Sequence, residues 1–593
     1  MAIHTLQVQC LLVMLVLLAC SWGSASCAGK LAVAFASTRP IRSTFPSTGF
    51  VKVNLHRSYQ APLYVLPQIP EETPSSPSTK RFRFLSKLGI GTARKDGRAI
   101  RNIARTEKKA RTIYNITTQM DLDNYWKDDQ RRFRKDEKGT IDYDWLIRSL
   151  NVSGDTQIIG DPSRPEYVHP VAQLVHERQR RGTALGQHKD GCKLALAVEG
   201  GGMRGCVTAG MICALHHLNL TSVFDVIYGS SAGSITSAYF ITGQLPWFGP
   251  EVYYDQLTTA GKNFIDRLGL LDPRLYRDVI TRPDGKPVLN LKYLLKTTVK
   301  DTKPLDWDKF LEQQTLQPLN VVTSGLKSQR SIVLSYENGG FENLNELTDC
   351  MHASCLLPGI AGPVMNLDMR STSQRGKTPK LMLGNGRMED YLEPLADALI
   401  YEPLPYRSAV AAGATHVVVL RSRPDGTDVT GKGGIFERMI FRRFLLRKNR
   451  LPHMFQRLSQ QLHKKLYAEQ VIEVNEAAYS KQDFKDTSNP HLLGVALPPG
   501  SPEVVRLETG REAIFEGIRR GFARAYDCLV EDPKERGRGQ IVAKEYFPDE
   551  ILDYDPLTIS ETDRSAFEVY MKKSGITPKS WGDKEHRARP TVR

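Results

Sequence analysis

The amino-acid sequence predicts an α/β fold, because short apolar runs of strand length alternate with stretches of helical spacing. Residues 194–198 form the first run, and apolar residues at helical spacing follow it over 207–218. Residues 223–228 form a second run, which leads into small residues compatible with a helix. A helical stretch that ends at Gly413 precedes a third run at 415–420. Alternation of this kind is typical of a sheet with parallel strands.

The composition is that of a globular protein with an excess of basic residues. Of 593 residues, 40% are hydrophobic and 25% are charged, which excludes a wholly disordered or fibrous chain. Lys and Arg number 81 against 65 Asp and Glu, so the formal charge is +16. Such an excess suits an anionic partner, either a lipid headgroup surface or nucleic acid. The sequence contains no RNA- or DNA-binding motif, so we expect an anionic membrane surface and no nucleic acid.

The nine cysteines predict neither a disulfide scaffold nor a metal site. Three of them precede residue 28, and the other six include no C-x-x-C pair and no Cys/His cluster at zinc spacing. We therefore expect these six to be mostly buried thiols, with one or two disulfides as the alternative, and we expect no metal.

The N-terminal residues resemble targeting sequence. Residues 1–28 are interpreted as a signal peptide, because an apolar core at 10–20, too short to span a membrane, is followed by small residues. An uncleaved anchor or a lipidated Cys20 or Cys27 is the alternative. A stretch without acids then extends to Glu71, as in the two-part leaders of algae with secondary plastids. The sequence thus predicts a route into the secretory pathway, with onward delivery to a secondary plastid or a membrane surface.

Basic residues are concentrated in two parts of the sequence, one before the predicted strands and one after them. Residues 60–80 are rich in Pro and Ser and are typical of a linker. Twelve Lys or Arg lie between Lys80 and Arg111 with two acids, which indicates a solvated arm or, alternatively, a contact with anionic lipid. Residues 435–451 mix bulky apolar residues with bases, and their helical wheel favours a helix packed on the core with a basic rim over direct membrane contact.

A glycine cluster, GGGMRG at 200–205, joins the first strand to its helix. The backbone N–H groups of such a loop point at an anion near the helix N-terminus. Three interpretations follow. Gly200-x-Gly202-x-x-Gly205 with Asp225 matches a dinucleotide-binding fingerprint. The cluster could instead be a purely structural turn, or it could supply the backbone donors of an acyl-transfer site.

The second strand leads into Gly229-Ser230-Ser231-Ala232-Gly233, a G-x-S-x-G motif between a strand and a helix. In that context the sharp turn presents the Oγ atom of the central serine, and the flanking glycines are needed because side chains there would clash. A nucleophile and a set of backbone donors are the two parts that acyl transfer needs, whereas a nicotinamide site has no use for such a serine. The two motifs together favour acyl transfer with Ser231 as the nucleophile.

A serine hydroxyl needs a base, and two candidates follow Ser231 in the sequence. His416 would preserve the Ser…Asp…His order of an α/β-hydrolase, but a histidine that opens an apolar strand is more often a packed residue. Asp397 is the other candidate. A carboxylate with a pKa of about 3.9 is a poor base at neutral pH, so the pocket of Asp397 must raise that pKa. Its apolar neighbours Leu395 and Leu399 fit this requirement.

Four sequence blocks, in order, resemble those of the patatin-like phospholipases. They are GGGMRG at 200–205, GSSAG at 229–233, ASCLLPG at 353–359, and the Asp397 segment that runs into GATHVVVL at 413–420. The likeness covers roughly 194–425 and is weaker up to about 530. It implies a three-layer α/β sandwich with a mainly parallel central sheet, and a Ser–Asp dyad in place of a triad, with no metal or other cofactor.

The resemblance also implies roles for individual residues. Ser231 would be the nucleophile, Asp397 the base, and Gly229 and Gly233 the flanks of the nucleophile elbow. The loop of the oxyanion hole would consist of Gly200, Gly201, Gly202, Met203, Arg204 and Gly205. The family aspartate is normally followed by Gly and then Gly or Ala, whereas Ala398 and Leu399 follow it here. If the family glycine has a positive φ, Ala398 costs about 1 kcal/mol and displaces the loop.

We therefore expect a serine acyl-ester hydrolase, a phospholipase A or lipid acyl hydrolase, that releases fatty acids from membrane glycerolipids. The alternatives are a weakly active or inactive lipid-binding protein of the same fold and a lipid acyltransferase. The predicted organisation is a signal peptide (1–28), a transit-like linker (29–80), a basic, partly helical N-terminal arm (81–190), a catalytic domain (191–425), a helical extension packed on it (426–533) and a polar C-terminal tail (534–593).

Overall fold

A computed structural model describes residues 168–266, 287–357, 359–384, 389–427, 429, 435–477, 483–554 and 565–575. The predicted signal peptide (1–28), the linker (29–80) and the basic segment from Lys80 to Arg111 lie outside the described residues. None of the helices in these ranges combines the length and the hydropathy that crossing a membrane requires.

The described residues form a sheet of nine strands in the order β6-β5-β7-β3-β2-β1-β8-β9, with β4 paired to the outer side of β3. The strands are β1 Leu194–Val198, β2 Val226–Ser230, β3 Leu319–Gly325, β4 Arg330–Ser335, β5 Met365–Asp368, β6 Leu381–Leu383, β7 Leu392–Ala396, β8 His416–Leu420 and β9 His491–Val495. Strands β9, β8, β1, β2 and β3 pair in parallel. The remaining pairs, which involve β4, β5, β6 and β7, are antiparallel, so the sheet is mixed.

The helices precede and follow these strands along the chain. They are α1 Pro170–Arg181, α2 Gly205–His217, α3 Ala232–Ile241, α4 Phe248–Glu251, α5 Trp307–Gln313, α6 Leu344–Cys355, α7 Thr372–Arg375, α8 Tyr406–Ala411, α9 Ile435–Phe441, α10 Pro452–Ser459, α11 Leu462–Ala477, α12 Arg511–Leu529, α13 Gly539–Tyr546 and α14 Ala566–Ser574. Wider π-helical turns extend α4 over Val252–Leu257 and α9 over Arg442–Lys448, and a further one spans Tyr293–Thr302.

Side chains of the central strands alternate between two apolar cores, one on each face of the sheet. In β1, Leu194, Leu196 and Val198 belong to the larger core, and Ala195 and Ala197 to the smaller one. Residues of α1, α2, α3, α6 and α12 line the larger core, and residues of α8 and α11 line the smaller. The molecule therefore has three layers, helix, sheet and helix, and the predicted α/β sandwich is confirmed.

The described part of the predicted N-terminal arm, 168–190, is not an arm. Val171, Leu174 and Val175 of α1 are fully buried in the larger core. Arg178 of the same helix donates to both carboxylate oxygens of Asp190 and also pairs with Asp225 at the start of β2. These contacts tie α1 to the sheet, so the packed fold begins before residue 191.

The segment predicted as a helical extension, 426–533, supplies a strand as well as helices. The predicted helix at 435–451 is observed as α9 with its π-helical extension to Lys448, and α10, α11 and α12 follow it. Residues 491–495 form β9 and pair in parallel with β8, with His416 opposite His491 and Leu420 opposite Val495. The extension therefore completes one edge of the sheet.

The predicted polar tail, 534–593, is wrong for the residues of it that are described. Helix α13 buries Val542, Ala543 and Tyr546 against α12, and Phe547 and Phe567 are fully buried. The apolar runs in this part of the sequence are short and are separated by polar residues, so their spacing does not predict a packed helix. The tail is pinned at Glu251, whose Oε1 accepts hydrogen bonds from Ser565 Oγ and Phe567 N, both at 2.8 Å.

All six described cysteines are free thiols, and Cys192 is the one among them that is not buried. The prediction of mostly buried thiols is confirmed for these residues, and the alternative of one or two disulfides among them is not.

Candidate active site

Ser231 lies on a sharp turn between β2 and α3, with φ 50° and ψ −128°. Positive φ is rare for a residue with a side chain, so the surrounding structure must hold it in place. The flanking glycines leave room for the turn. A Cβ atom on Gly229 would lie 2.5 Å from Ser234 Cα, and one on Gly233 would lie 2.3 Å from Val198 O. The structure thus places Ser231 on the strand–helix turn that the G-x-S-x-G motif predicts.

Strand β3 brings Ser231 and Asp397 to the same point of the sheet. Strand β2 runs parallel to β3 and ends with Ser230 opposite Val322. Strand β7 runs antiparallel to β3 and ends with Ala396 opposite Ser324. The carboxyl ends of β2 and β7 therefore approach the level of Thr323 from opposite directions, and each strand stops one residue before it. The next residue after β2 is Ser231 and the next after β7 is Asp397, the two members of the predicted dyad.

The two side chains meet in a hydrogen bond from Ser231 Oγ to Asp397 Oδ2 at 3.2 Å. The other carboxylate oxygen of Asp397 accepts from Leu399 N at 2.9 Å, which fixes the plane of the carboxylate. The exposed fractions of Ser231 and Asp397 are 7% and 5%.

Burial raises the pKa of Asp397 to about 6. Three contacts oppose burial by favouring the ionised carboxylate: the Leu399 N–H, the positive charge of Arg506 and the Ser231 hydroxyl. Since burial is the largest effect, the carboxylate becomes a stronger base than a free aspartate and remains ionised at neutral pH.

The glycine loop packs directly on this turn. A Cβ atom on Gly200 would lie 2.6 Å from Ser231 Cβ, so only glycine allows the loop to approach the serine so closely. Gly201 and Gly202 have φ of 146° and 64°, conformations that residues with side chains rarely adopt.

The N–H groups of the loop differ in their hydrogen bonds. Gly200 N donates to Ser230 Oγ at 3.3 Å, and Met203 N donates to the Arg506 carbonyl at 3.0 Å. Gly205 N lies within the first turn of the following helix and donates to Gly202 O and Met203 O. Within the described residues, the N–H groups of Gly201 and Gly202 make no hydrogen bond. Of the predicted oxyanion loop, these two amides are the ones free to bind another group.

The Arg204 side chain turns away from the serine toward residues 498–510, which we call the 498–510 segment. Arg204 Nη2 pairs with Glu503 Oε1 at 2.5 Å, and Arg204 Nε donates to Val504 O at 3.0 Å. Burial, together with the charge of Arg423, lowers the pKa of Arg204 to about 9. Together with the hydrogen bond from Met203 N to Arg506 O, these contacts hold the 498–510 segment against the glycine loop.

Sequence reasoning misses the 498–510 segment, because it follows β9 and lies outside the four sequence blocks. No pattern in the sequence marks its contact with the glycine loop, which lies some 300 residues away along the chain.

His416 is not part of this site, which contradicts the alternative of a Ser…Asp…His triad. It opens β8 opposite Leu194, at the level of Asp225, six residues before Ser231. At about 3.3 Å per residue, this places His416 roughly 20 Å from the serine along the strand direction, at the amino-terminal end of β8. Its Nδ1 atom lies 2.9 Å from Thr415 Oγ1, and its ring packs on His491 with centroids 4.7 Å apart.

Ala398 fits its position without strain. It begins a 3₁₀ turn, Ala398–Ile400, that Asp397 caps, and it is not among the described non-glycine residues with positive φ. Ala398 is also fully buried in the smaller core. The cost and the displaced loop that were expected for alanine at this position do not arise.

Ser354 and Cys355, from the ASCLLPG block, also lie at the site. The Ser354 hydroxyl accepts a hydrogen bond from Ser231 N, and the Cys355 thiol is close enough to Ser231 and Asp397 to interact with both. Burial raises the pKa of Cys355, so its thiol stays protonated. Sequence reasoning uses this block only for the family resemblance and does not identify either contact.

Within the described ranges, no group of three or more His, Cys, Asp or Glu side chains is arranged to hold a metal ion. The fold and the site together define an α/β protein with a serine on a sharp strand–helix turn beside a buried carboxylate. More specifically, residues 196–410 match the family model described as patatin-like phospholipase.

Two solved structures are similar to this chain at low identity. VipD from Legionella pneumophila is 14% identical, with 64% of this chain and 79% of VipD covered and a TM-score of 0.27. Human GIVD cytosolic phospholipase A2, solved with methyl gamma-linolenyl fluorophosphonate, is 14% identical, with 68% of this chain and 64% of that protein covered and a TM-score of 0.29. The search of curated proteins found no match.

Proposed function

We propose that the protein is a serine acyl-ester hydrolase that releases fatty acids from membrane glycerolipids. The patatin-like phospholipase domain supports a lipid acyl hydrolase in general. The observation that carries the finer proposal is the 3.2 Å hydrogen bond between Ser231 Oγ and a buried Asp397 carboxylate. A nucleophile with a base in hydrogen-bonding reach is what covalent acyl transfer requires.

The proposed reaction has two steps. The Asp397 carboxylate accepts the Ser231 proton as Oγ attacks the ester carbonyl carbon, and the proton then passes to the departing alcohol oxygen as the C–O bond breaks. Water next attacks the acyl-serine with Asp397 again accepting a proton, which releases the fatty acid and regenerates the serine. A base acts best when its pKa is near the working pH, which a pKa of about 6 satisfies at neutral pH.

We assign the oxyanion hole to Gly201 and Gly202. Their N–H groups have no other partner in the described structure, and the glycine loop that carries them packs on Ser231. Met203 also belongs to the loop that the family resemblance implies, but its N–H donates to Arg506 O. Removing one such donor typically lowers kcat by 100- to 1000-fold, so this assignment concerns a large part of the rate.

A lipid surface is the proposed site of action, supported by the charge of +16 and by exposed bases near the site. The π-helical extension of α9 buries Phe444 and Leu445 beside Ala396 and Ile400, next to Asp397. Arg438, Arg443 and Arg450 of the same region are exposed. This is the core-packed helix with a basic rim that the sequence predicts. We propose that its rim meets anionic headgroups.

For the N-terminal leader we propose entry into the secretory pathway, which imaging of a fusion to residues 1–60 tests.

The test of the proposed function is release of fatty acid from glycerolipid vesicles by the full chain. Ser231→Ala is expected to abolish release, and Asp397→Asn to lower it by at least 1000-fold. Asp397→Asn also removes a carboxylate whose folded pKa is raised, so this variant should be at least as stable as wild type near pH 8. The matched control is Ser237→Ala in α3, a buried serine whose hydroxyl bonds only to Gly233 O among the described residues. It should retain activity.

Two observations favour a second candidate, a weakly active or inactive lipid-binding protein of the same fold. Ser231 is nearly buried, and the Arg506 carbonyl occupies an amide of the glycine loop. Equal and negligible turnover by wild type and Ser231→Ala, with vesicle binding retained by both, would support this candidate over the hydrolase.

A further inference from the structure

The last turn of α6 contacts the main chain of both residues of the proposed dyad. Ser354 Oγ accepts a hydrogen bond from Ser231 N at 2.7 Å and donates one to Val322 O at 2.5 Å. Two residues later, the carbonyl of Leu356 accepts a hydrogen bond from Asp397 N at 2.9 Å. Residues 354–356 therefore hold the backbone of Ser231 and of Asp397 at the same time.

The end of α6 is a rigid support for this purpose. Ser354 and Leu356 are fully buried, and Leu347, Cys350 and Met351 of the same helix belong to the larger core. Val322, the residue that fixes the Ser354 hydroxyl, lies on β3 directly opposite Ser230. The Ser354 hydroxyl thus links β3 to the turn that carries Ser231. Strand β3 is also the strand against which β2 and β7 end.

A hydroxyl is the group that this position requires. It must accept from an N–H group and donate to a carbonyl simultaneously, and in a small buried side chain only a hydroxyl does both well. The same contact uses the N–H of Ser231 itself, so that amide is not a donor to the oxyanion. We propose, on the basis of the function proposed above, that Ser354 is a positioning residue that fixes Ser231 Oγ within reach of Asp397.

Removal of this hydroxyl has a specific expected effect. In Ser354→Ala the Ser231 N–H and the Val322 carbonyl lose their partner in a buried environment, and the turn at φ 50° loses a restraint. Displacement of a reacting atom by about 1 Å costs about 100-fold in rate. We expect kcat to fall by about 10- to 100-fold while KM stays within about twofold. The midpoint of the pH–rate profile should rise by less than about one pH unit, because the displaced Ser231 hydroxyl is one of three contacts that favour the ionised Asp397 carboxylate, and the other two remain.

The experiment compares full-length wild type, Ser354→Ala and Ser354→Thr, which keeps the hydroxyl. Two rates are measured for each: fatty-acid release from glycerolipid vesicles, and covalent labelling of Ser231 by an alkyl fluorophosphonate. In the labelling step Oγ forms a bond to phosphorus, fluoride leaves and Asp397 accepts the proton. Ser335→Ala is the control for general loss of a buried serine, because its hydroxyl serves one turn at the far end of β4. All rates are taken at temperatures below the melting point of each variant.

A labelling rate that falls at least 10-fold in Ser354→Ala, with partial recovery in Ser354→Thr and none of the loss in Ser335→Ala, supports the proposal. A wild-type labelling rate in folded Ser354→Ala, or a loss that appears in KM alone, overturns it. If Ser354→Thr does not fold, the Ser354→Ala labelling rate and its pH midpoint decide. If wild type labels at Ser231 but releases no fatty acid, the proposed hydrolase function fails and the labelling series still tests the role of Ser354.

Discussion

The environment of Asp397 explains how one carboxylate would act as the base of the proposed dyad without a histidine. Burial disfavours its charge, while the Leu399 N–H and the Ser231 hydroxyl favour it, and the balance leaves a pKa of about 6. The carboxylate is thus ionised at pH 7 and yet much more basic than a free aspartate. The nearest alternative, His416, has its pKa lowered by burial to about 3 and is neutral throughout the physiological range.

The pH dependence of activity follows from this pKa. Asp397 must be ionised to accept the Ser231 proton, so we expect kcat/KM to be level above about pH 7 and to fall about tenfold per pH unit below about 6. The measurement is a pH–rate profile with a soluble short-chain ester. Circular dichroism at each pH serves as the control for unfolding. A midpoint near pH 4 would contradict the conclusion that burial raises the pKa of Asp397. A profile with a midpoint near neither 6 nor 4 would contradict the role of Asp397 as the base.

A second residue-scale prediction concerns Ala398, where the family sequence has glycine. Because φ at Ala398 is not positive and its methyl group is buried, Ala398→Gly should not increase kcat. It should lower the free energy of unfolding by about 1 to 2 kcal/mol, through added unfolded-state entropy and the lost methyl contact. Denaturant unfolding and steady-state kinetics measure both. A severalfold gain in kcat would mean that Ala398 does displace the loop.

Single residues with a strong local signal are predictable from this sequence, and residues defined by distant contacts are not. Ser231 is recognisable because the glycines on both sides of it report a turn. Asp397 is recognisable from the apolar residues around it and from the family likeness. Ser354 has no such signal, because its two partners lie 123 and 32 residues away along the chain. Arg506 is hidden for the same reason.

At the scale of elements, periodicity predicts the central strands well and their ends less well. The observed β1 has the predicted bounds, whereas β2 begins at Val226 because residues 221–223 form a 3₁₀ turn. The strand β9 is missed, although Asn489-Pro490 before it and Pro498-Pro499-Gly500 after it are typical of the turn residues that bound a strand. The antiparallel strands β5, β6 and β7 are short, and their pairing depends on β3, so neither their number nor their direction can be read from local pattern.

The 498–510 segment gives an element-scale prediction. Glu503 holds it by pairing with Arg204 at 2.5 Å and approaching Arg423 at 3.8 Å. In Glu503→Gln this charge attraction is lost, so the segment should leave the glycine loop more often and free the Met203 N–H. We expect lipid hydrolysis to rise by about two- to tenfold in vesicle assays.

The control for this variant is Glu516→Gln on α12, which removes the ion pair between the exposed Glu516 carboxylate and the buried Arg519. Its activity should equal that of wild type. A fall in activity for Glu503→Gln, with the control unchanged, would mean that the segment supports the glycine loop and does not cover it.

At the scale of the whole molecule, buried and partly buried histidines make the fold sensitive to acid. Burial lowers the pKa of His169, His416 and His463 to about 3, and of His217 and His352 to about 4. Each binds fewer protons when folded than when unfolded, where its pKa is about 6.5. Their contribution to stability is therefore complete above pH 6.5 and is lost as the pH falls toward 4, by up to about 1.4 kcal/mol per histidine per pH unit.

We expect the melting temperature to be steady above pH 7 and to fall steeply between pH 6.5 and 4. His217→Phe should make this fall shallower, because the ring of His217 already packs among Phe522, Tyr526 and Tyr546, with centroids 5.3 to 5.8 Å apart. Thermal unfolding at half-unit pH steps compares the two proteins. Parallel curves for wild type and His217→Phe would remove this histidine from the explanation.

Ser231 and Asp397 lie 166 positions apart in the sequence. Whole strands and helices lie between them in the chain, yet the distance between the two side chains does not depend on the length of that intervening segment. That spacing is set by where two strands stop against a third. Loops on the intervening path can therefore lengthen or shorten through evolution without touching the chemistry. A shift of β7 by a single residue along β3 would, by contrast, disrupt the site. It would move the Asp397 carboxylate about 3.3 Å from Ser231 and turn it to the opposite face of the sheet.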